Sequence, residues 1–121
     1  EPFNEENLIS MGKATAATGD LKQAIVDFDE TIRVNPKSSE AFKFKGLMSV
    51  LSGDYALAID DLDKAIEFYP LNDDAYFARA KAYIGANEPA LALLDFAHAI
   101  NLAPTNTDYL FNRGLLYSEL P

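Results

Sequence analysis

The chain has 121 residues, 49% hydrophobic and 24% charged, and these proportions predict one soluble domain with its own core. Its formal net charge of -9 would repel phosphate groups, which disfavours nucleic acid and anionic membrane surfaces as partners. The lack of cysteine excludes disulfides and thiolate metal sites, and the single histidine, His98, excludes a multi-histidine zinc site. The sequence has no apolar run near the roughly 18 residues that a membrane span needs and no recognisable signal peptide, and it does not indicate a compartment.

Apolar residues at helical spacing predict seven helices along the chain. Ala24, Phe28 and Ile32 form one such stripe, and equivalent stripes follow it. In chain order the helices are placed at 6–18, 21–34, 40–52, 55–68, 74–86, 89–102 and 108–119. Ser39, Asp73 and Thr107 are predicted as N-caps because they directly precede helical segments.

Turn signals divide these helices into pairs. Gly19-Asp20 separates the first two helices, and Gly53-Asp54 separates the third from the fourth. Asn87-Glu88-Pro89 fills the same role in the third pair, where the proline is tolerated at the first helical position. The sequence therefore predicts a series of helical hairpins.

The hairpins repeat with a constant period. Pro36, Pro70 and Pro104 are evenly spaced along the chain, and each follows an apolar helical run. Residues separated by the same number of positions as these prolines are also alike, and each such set is called a column. The columns are Ala24, Ala58 and Ala92; Phe28, Leu62 and Phe96; and Gly12, Gly46, Ala80 and Gly114. Small residues would let paired helices approach closely, while bulky residues would fill the spaces between them.

This pattern resembles the tetratricopeptide repeat (TPR) family, in which A-x3-F and a later proline recur with a period of about 34 residues. The frames would be 5–38, 39–72 and 73–106, with a half repeat at 107–121, so the resemblance covers nearly the whole chain. The chain departs from the family pattern in lacking tryptophan and in carrying Lys45, Arg79 and Arg113 where the family has leucine.

The resemblance implies an all-α, right-handed α-solenoid of antiparallel helix pairs, with about three and a half TPR repeats in a single domain over 1–121. Because the chain begins at Glu1 without a methionine, we expect it to be a fragment of a longer protein.

Two columns of opposite charge follow the same period. They are Asp27, Asp61 and Asp95, and Lys45, Arg79 and Arg113. Pairing within a repeat would join Lys45 to Asp61 and Arg79 to Asp95, but it would leave Asp27 and Arg113 alone. Pairing between repeats would join Asp27 to Lys45, Asp61 to Arg79 and Asp95 to Arg113, and it would use all six charges. The hypothesis is therefore three inter-repeat ion pairs that set the stacking register.

The densest acidic cluster, Asp60-Asp61-Leu62-Asp63, could hold a metal or could face solvent. A calcium loop needs a glycine and a non-helical backbone, whereas these acids fall in the middle of a predicted helix. Asp60, Asp63 and Lys64 share one helix face, which favours a solvated outer surface. His98 lies near Asp95 without a nucleophile, and no glycine-rich phosphate motif occurs. We therefore predict no enzymatic activity, no cofactor and no metal.

The resemblance also implies a concave groove, lined by the first helix of each pair, that binds peptides. The groove positions carry Glu6, Ile9, Ser10, Lys13 and Ala16 in the first frame; Glu40, Lys43, Phe44, Leu47 and Val50 in the second; Asp74, Phe77, Ala78, Lys81 and Ile84 in the third; and Asp108, Phe111, Asn112, Leu115 and Ser118 in the half repeat. An acidic groove rim would consist of Glu6, Glu40, Asp74 and Asp108. The apolar groove residues would either anchor a partner or pack between repeats. The acids would balance the helix dipole, select a basic ligand, or do both.

We therefore predict a non-enzymatic scaffold for protein–protein interaction, whose partner is a protein or peptide with an apolar or basic segment. The family's carboxylate clamp for chaperone tails is not matched, because Ile9, Lys13, Phe44, Asp74 and Ala78 occupy its positions and the next frame fits no better. A chaperone C-terminal tail is not expected as the ligand.

The alternative function is a structural segment of a larger TPR array that self-associates through its uncapped last helix. Solenoids normally end in a polar capping helix, and none is recognisable here. Leu110, Leu115, Leu116 and Tyr117 would then lack part of their cover.

Overall fold

The structure, a computed structural model, describes residues 4–121 and contains seven α-helices and no strand in that range. The helices are α1 (Glu5–Ala17), α2 (Leu21–Val34), α3 (Ser39–Leu51), α4 (Tyr55–Phe68), α5 (Asp73–Gly85), α6 (Pro89–Leu102) and α7 (Thr107–Glu119). They form an α-solenoid of helical hairpins in which consecutive helices pack against each other. The predicted bounds are confirmed to within one residue.

Side-chain caps determine where the first helix of each later pair begins. Ser38, Asn72 and Asn106 have non-helical backbone angles, and their side-chain oxygens accept hydrogen bonds from backbone N–H groups two or three residues on. The predicted caps were wrong by one position, because Ser39, Asp73 and Thr107 are the first residues of their helices.

The turns within the pairs are confirmed. Gly19 and Gly53 have φ angles of 88° and 80°, in the left-handed region that glycine adopts without strain. Asn87 takes this conformation in the third pair, with a φ of 62°, and Pro89 opens α6. None of the described helices has the length and apolar character needed to cross a membrane.

Each pair is held together where a small residue faces a large one. A Cβ atom added to Gly12 would lie 2.5 Å from Cε1 of Phe28, and one added to Gly46 would lie 2.6 Å from Cγ of Leu62. Phe28 and Leu62 are fully buried, so neither side chain has free space to move into. The predicted match of small and bulky columns therefore fixes the distance between the helices.

The predicted inter-repeat ion pairs, Asp27–Lys45, Asp61–Arg79 and Asp95–Arg113, are wrong. Lys45 Nζ lies 3.7 Å from Asp61 Oδ1, and Arg79 donates hydrogen bonds of 2.8 and 2.7 Å to Asp95. Both contacts join the two helices of one repeat, because the antiparallel hairpin brings these positions of its two helices to the same height.

Links between repeats do exist, but they use other acids. Lys45 Nζ lies 2.9 Å from Asp29, and Arg79 lies 2.9 Å from Asp63, each on the helix before the base. Asp63 was predicted only to face solvent. Each of these bases therefore bridges an exposed acid of the preceding repeat and a buried acid of its own repeat.

The two outer members of the charge columns have no ionic partner among residues 4–121. Asp27 accepts hydrogen bonds from Thr15 Oγ1 at 2.8 Å and Gln23 Nε2 at 3.0 Å. Arg113 lies 6.0 Å from the ring centroid of Tyr117 and forms no ion pair with a described acid.

Candidate functional site

The groove positions of the first frame surround one open cavity of about 600 Å³. Its walls are Asn4, Glu5, Glu6, Ile9, Ser10, Lys13 and Glu40. The helical spacing of Glu6, Ile9, Ser10 and Lys13 places them on one face of α1, and Glu40 closes the cavity from the first turn of α3. The structure therefore brings together the predicted residues of this end of the groove.

The acids around this cavity differ in their availability. Glu5 accepts hydrogen bonds from Asn35 at 2.8 Å and Ser38 at 2.6 Å, which tie α1 to the loop before α3. Glu6 and Glu40 are exposed and have no hydrogen bond or ion pair with any described residue. Ile9, which is buried, supplies an apolar floor. The cavity therefore offers two available carboxylates beside an apolar surface.

The middle of the groove is built on packed aromatic rings. Phe44 stacks on Phe28 with ring centroids 5.5 Å apart, and Phe77 lies 4.6 Å from Tyr109 and 6.0 Å from Phe96. Leu47 packs against the same core. Phe44, Leu47 and Phe77 therefore join neighbouring repeats, which is the packing alternative considered for them.

Lysine ammonium groups lie close to the Phe44 and Phe77 rings. Lys43 Nζ is 4.4 Å from the Phe44 centroid and Lys13 Nζ is 5.4 Å from it, while Lys81 Nζ is 4.4 Å from the Phe77 centroid. Lys43 is buried, and its ammonium group lies 3.7 Å from Asp74. The centre of the groove is therefore lined by lysines that already have partners.

Groove residues on α7 are far more accessible. Phe111 is 66% exposed and Leu115 is 44% exposed. Asn112 donates its side-chain amide to the backbone carbonyl of Asp108. Phe111 and Leu115 are therefore the apolar groove residues available to a partner.

Part of the acidic rim is engaged by a residue that the sequence analysis missed. The hydroxyl of Tyr109 lies 2.7 Å from Asp73 and 2.6 Å from Asp74, so α7 is tied to the start of α5. Burial and these two carboxylates raise the pKa of Tyr109. Asp74 is thereby held in place, whereas Asp108 remains exposed at the start of α7.

Nothing in residues 4–121 gathers three acidic or histidine side chains at a point where a metal ion could bind. His98 stacks on Tyr76 with centroids 5.0 Å apart, and the nearby Asp95 is occupied by Arg79. These side chains contribute packing and ion pairing.

Solved structures similar to this chain share its fold. MamA is 25% identical, with a TM-score of 0.87 over 98% of this chain and 69% of that chain. The Arabidopsis OM64 TPR domain is 22% identical, with a TM-score of 0.90 over 96% of each chain. The first TPR domain of Spaghetti (RPAP3), bound to the HSP90 peptide SRMEEVD, is 16% identical, with a TM-score of 0.91 over 98% of this chain and 94% of that chain.

Sequence comparison gives the family. No curated protein sequence matches the chain significantly. A family model described as tetratricopeptide repeat matches residues 9–73, which is more than half of the chain. With a fold of helical hairpins and TPR domains as structural neighbours, the chain belongs to the tetratricopeptide repeat family.

Proposed function

We propose that this chain is a non-enzymatic interaction module that binds a segment of a partner protein along the groove of its first helices. The observation that carries the proposal is the open cavity of about 600 Å³ bounded by Glu6, Ile9, Lys13 and Glu40. A cavity of this size fits one or two side chains of a bound peptide.

The chemistry of the groove favours a peptide with a basic residue at one end and apolar residues at the other. Glu6 and Glu40 present available carboxylates beside the apolar floor of Ile9. At the α7 end, Phe111 and Leu115 offer exposed apolar surface. A basic side chain would pair with the acids, and apolar side chains would cover the α7 residues.

An acidic chaperone tail does not suit this groove, although a relative of the same fold holds the HSP90 peptide SRMEEVD. Where a clamp needs basic or amide groups, Ile9 is buried and Phe44 is stacked on Phe28. Asp74 and Asp108 would repel a carboxylate. SRMEEVD is therefore the appropriate negative probe.

The test is selection of short random peptides displayed on phage, followed by affinity measurement of the enriched peptides. We expect enriched peptides to be basic and apolar, and Glu6→Lys/Glu40→Lys to weaken their binding by roughly tenfold or more. The matched control, Glu67→Lys/Glu88→Lys, changes two exposed acids outside the groove by the same charge and should retain binding. Equal binding by wild type and the groove variant, or tight binding of SRMEEVD, would overturn the proposal.

A further inference from the structure

The outward side of α6 differs in charge from the same side of the other second helices. Six exposed residues at helical spacing form it, and they are called the outer stripe: Ala90, Leu91, Leu94, Ala97, His98 and Asn101. None of them is an aspartate, glutamate, lysine or arginine. The same positions of α4 include Asp60, Asp63, Lys64 and Glu67, and those of α2 include Lys22, Asp29, Glu30 and Arg33. The outer stripe is therefore an uncharged surface on a chain whose formal net charge is -9.

The exposure of the outer stripe does not come from the position of α6 near the last residue. Leu94 is 60% exposed, and its equivalent Val26 is 55% exposed although two further repeats follow α2. Leu91 is 41% exposed, and its equivalent Leu57 is 43% exposed in the central repeat. Neither α2 with α4 nor α4 with α6 forms an extensive contact. A further repeat after α7 would therefore leave the outer stripe as open as it is here.

The opposite side of α6 holds the outer stripe in a fixed position. Ala92, Phe96 and Ala99 are fully buried against the rest of the hairpin, and Asp95 accepts two hydrogen bonds from Arg79 of α5. The stripe therefore faces away from α5, and so away from the groove that the first helices line.

Electrostatics favours a second copy of this chain as the molecule that covers the outer stripe. Two chains of net charge -9 repel each other, and the repulsion is smallest where both present an uncharged surface. A strongly basic or acidic partner would find no opposite charge on the stripe to pair with. An apolar contact between two copies removes Leu91 and Leu94 of both chains from water without burying a charged group.

The outer stripe also has a shape that fits a copy of itself. Leu91, Leu94 and His98 form a bulky row along α6, and Ala90 and Ala97 form a row of small residues beside it. Two copies related by a two-fold axis beside Leu94 can pack the bulky row of each against the small row of the other. The same patch then serves both sides of the contact, as a two-fold interface requires.

We propose that the outer stripe is a self-association surface, through which two copies of the chain form a symmetric dimer with α6 packed on α6. The two Leu94 side chains meet at its centre. Both grooves remain open, because the stripe faces away from the first helices. The dimer would hold a partner with two binding segments more tightly than one chain does. Self-association through α6 extends the proposed function and does not depend on it.

Sedimentation equilibrium of the whole chain over a range of concentrations is the first test. One helix stripe is smaller than a standard interface of about 800 Å² per partner, so we expect a weak dimer with a dissociation constant on the order of 0.1 mM. Leu94→Asp should raise this constant by roughly tenfold or more, because it places two carboxylates together at the centre of the contact. The variant should keep its thermal midpoint, because α4 carries the exposed Asp60 at the equivalent position.

The matched control is Val26→Asp, which adds the same charge at the equivalent exposed position of α2 and should dimerise as wild type does. Added salt should strengthen the dimer, because it screens the repulsion between two acidic chains while the contact itself contains no ion pair. A dimer held by ion pairs elsewhere on the surface would weaken instead, which would contradict the proposal.

Disulfide trapping tests the position of the two-fold axis, because the chain has no cysteine of its own. Leu94→Cys should form a covalent dimer under mild oxidation, since its two Cα atoms would approach to the roughly 6 Å that a disulfide spans. Val26→Cys, with a similarly exposed thiol, should cross-link far more slowly at the same concentration.

Four results would overturn the proposal. They are a chain that stays monomeric at about 1 mM, tenfold above the expected dissociation constant; a dimer that Leu94→Asp leaves intact; equal cross-linking of the two cysteine variants; and capture of an unrelated protein by the stripe of a chain that does not dimerise.

Discussion

Three buried aspartates at equivalent positions have different surroundings. Asp95 accepts two hydrogen bonds from Arg79, and Asp27 accepts hydrogen bonds from Thr15 and Gln23. Asp61 has only Lys45 at 3.7 Å, and its buried Oδ2 atom has no hydrogen-bond partner. Burial raises the pKa of Asp61 to about 6; Lys45 opposes this effect, while Asp29 and Asp60 add to it.

The raised pKa of Asp61 predicts a chain that loses stability as the pH rises. The folded state binds the proton more tightly than the unfolded state, whose aspartate pKa is about 3.9. The free energy of unfolding should therefore fall between about pH 4 and pH 6, by an amount on the order of 2 kcal/mol. Urea unfolding from pH 4.5 to 7.5 measures this fall, and Asp61→Asn should reduce it and stabilise the chain at pH 7.

The control for this prediction is Asp95→Asn, which removes a carboxylate that Arg79 fully engages and should destabilise the chain at pH 7. An Asp61→Asn chain less stable than wild type at pH 7 would mean that Lys45 compensates the buried charge.

Arg79 is predicted to contribute more to stability than any exposed ion pair of the chain. It bridges the buried Asp95 and the exposed Asp63, and its hydrogen bonds to Asp95 raise its pKa. Arg79→Gln should cost about 3 kcal/mol, because it leaves Asp95 buried without its partner.

Double-mutant cycles by chemical unfolding should give a larger coupling energy for Arg79 with Asp95 than with Asp63. The exposed Arg33–Glu30 pair serves as the reference and should show little coupling. Equal coupling energies for the two Arg79 pairs would contradict the prediction.

Helix pairs depend on the close approach of a small residue on one helix to a large residue on the other. Gly46→Ala should destabilise the chain by about 1–3 kcal/mol, because the new methyl group collides with Leu62. Gly114→Ala adds the same atom at the equivalent place on α7, where nothing lies within 4 Å. It should therefore be neutral or stabilise the chain by up to about 1 kcal/mol through helix propensity. Thermal unfolding of the two variants measures the difference, and equal destabilisation would contradict the open space at Gly114.

Sequence periodicity predicted the helices and their small and bulky columns because packing between paired helices repeats with the same period. It did not identify the ion-pair partners, because a period shows which residues are equivalent but not which neighbour each one faces. Lys45 contacts Asp61 on the other helix of its own hairpin, and it contacts Asp29 on the preceding helix. The sequence did contain a signal for the contact with the preceding helix. Asp29 precedes Lys45 by the same number of residues as Asp63 precedes Arg79.

The groove was predictable in part for the same reason. The resemblance assigned Glu6, Ile9, Lys13 and Glu40 to the groove and its rim, and in the structure these four residues line one cavity. It could not decide whether an aromatic ring there faces solvent or the next repeat. That outcome depends on the size of the opposing side chain, as with Phe44 on Phe28.

The solenoid as a whole is held together by contacts between successive helices, so its stability depends on how many neighbours each helix has. α3 packs against α1, α2, α4 and α5, whereas α7 packs mainly against α6. Tyr109 partly compensates by tying α7 to the start of α5. The α7 end should therefore open more readily than the centre.

Hydrogen exchange measured by mass spectrometry should reveal this gradient along the chain. The amides of α3, α4 and α5 should exchange most slowly and those of α7 fastest, because α7 packs mainly against α6 and leaves Leu110 and Tyr117 exposed. α1 is the matched reference: it has the same length as α7 but buries Leu8, the equivalent of Leu110.

Tyr109→Phe removes the hydroxyl bound to Asp73 and Asp74 and should accelerate exchange in α7 alone. Exchange in α7 as slow as in α3 would contradict the prediction.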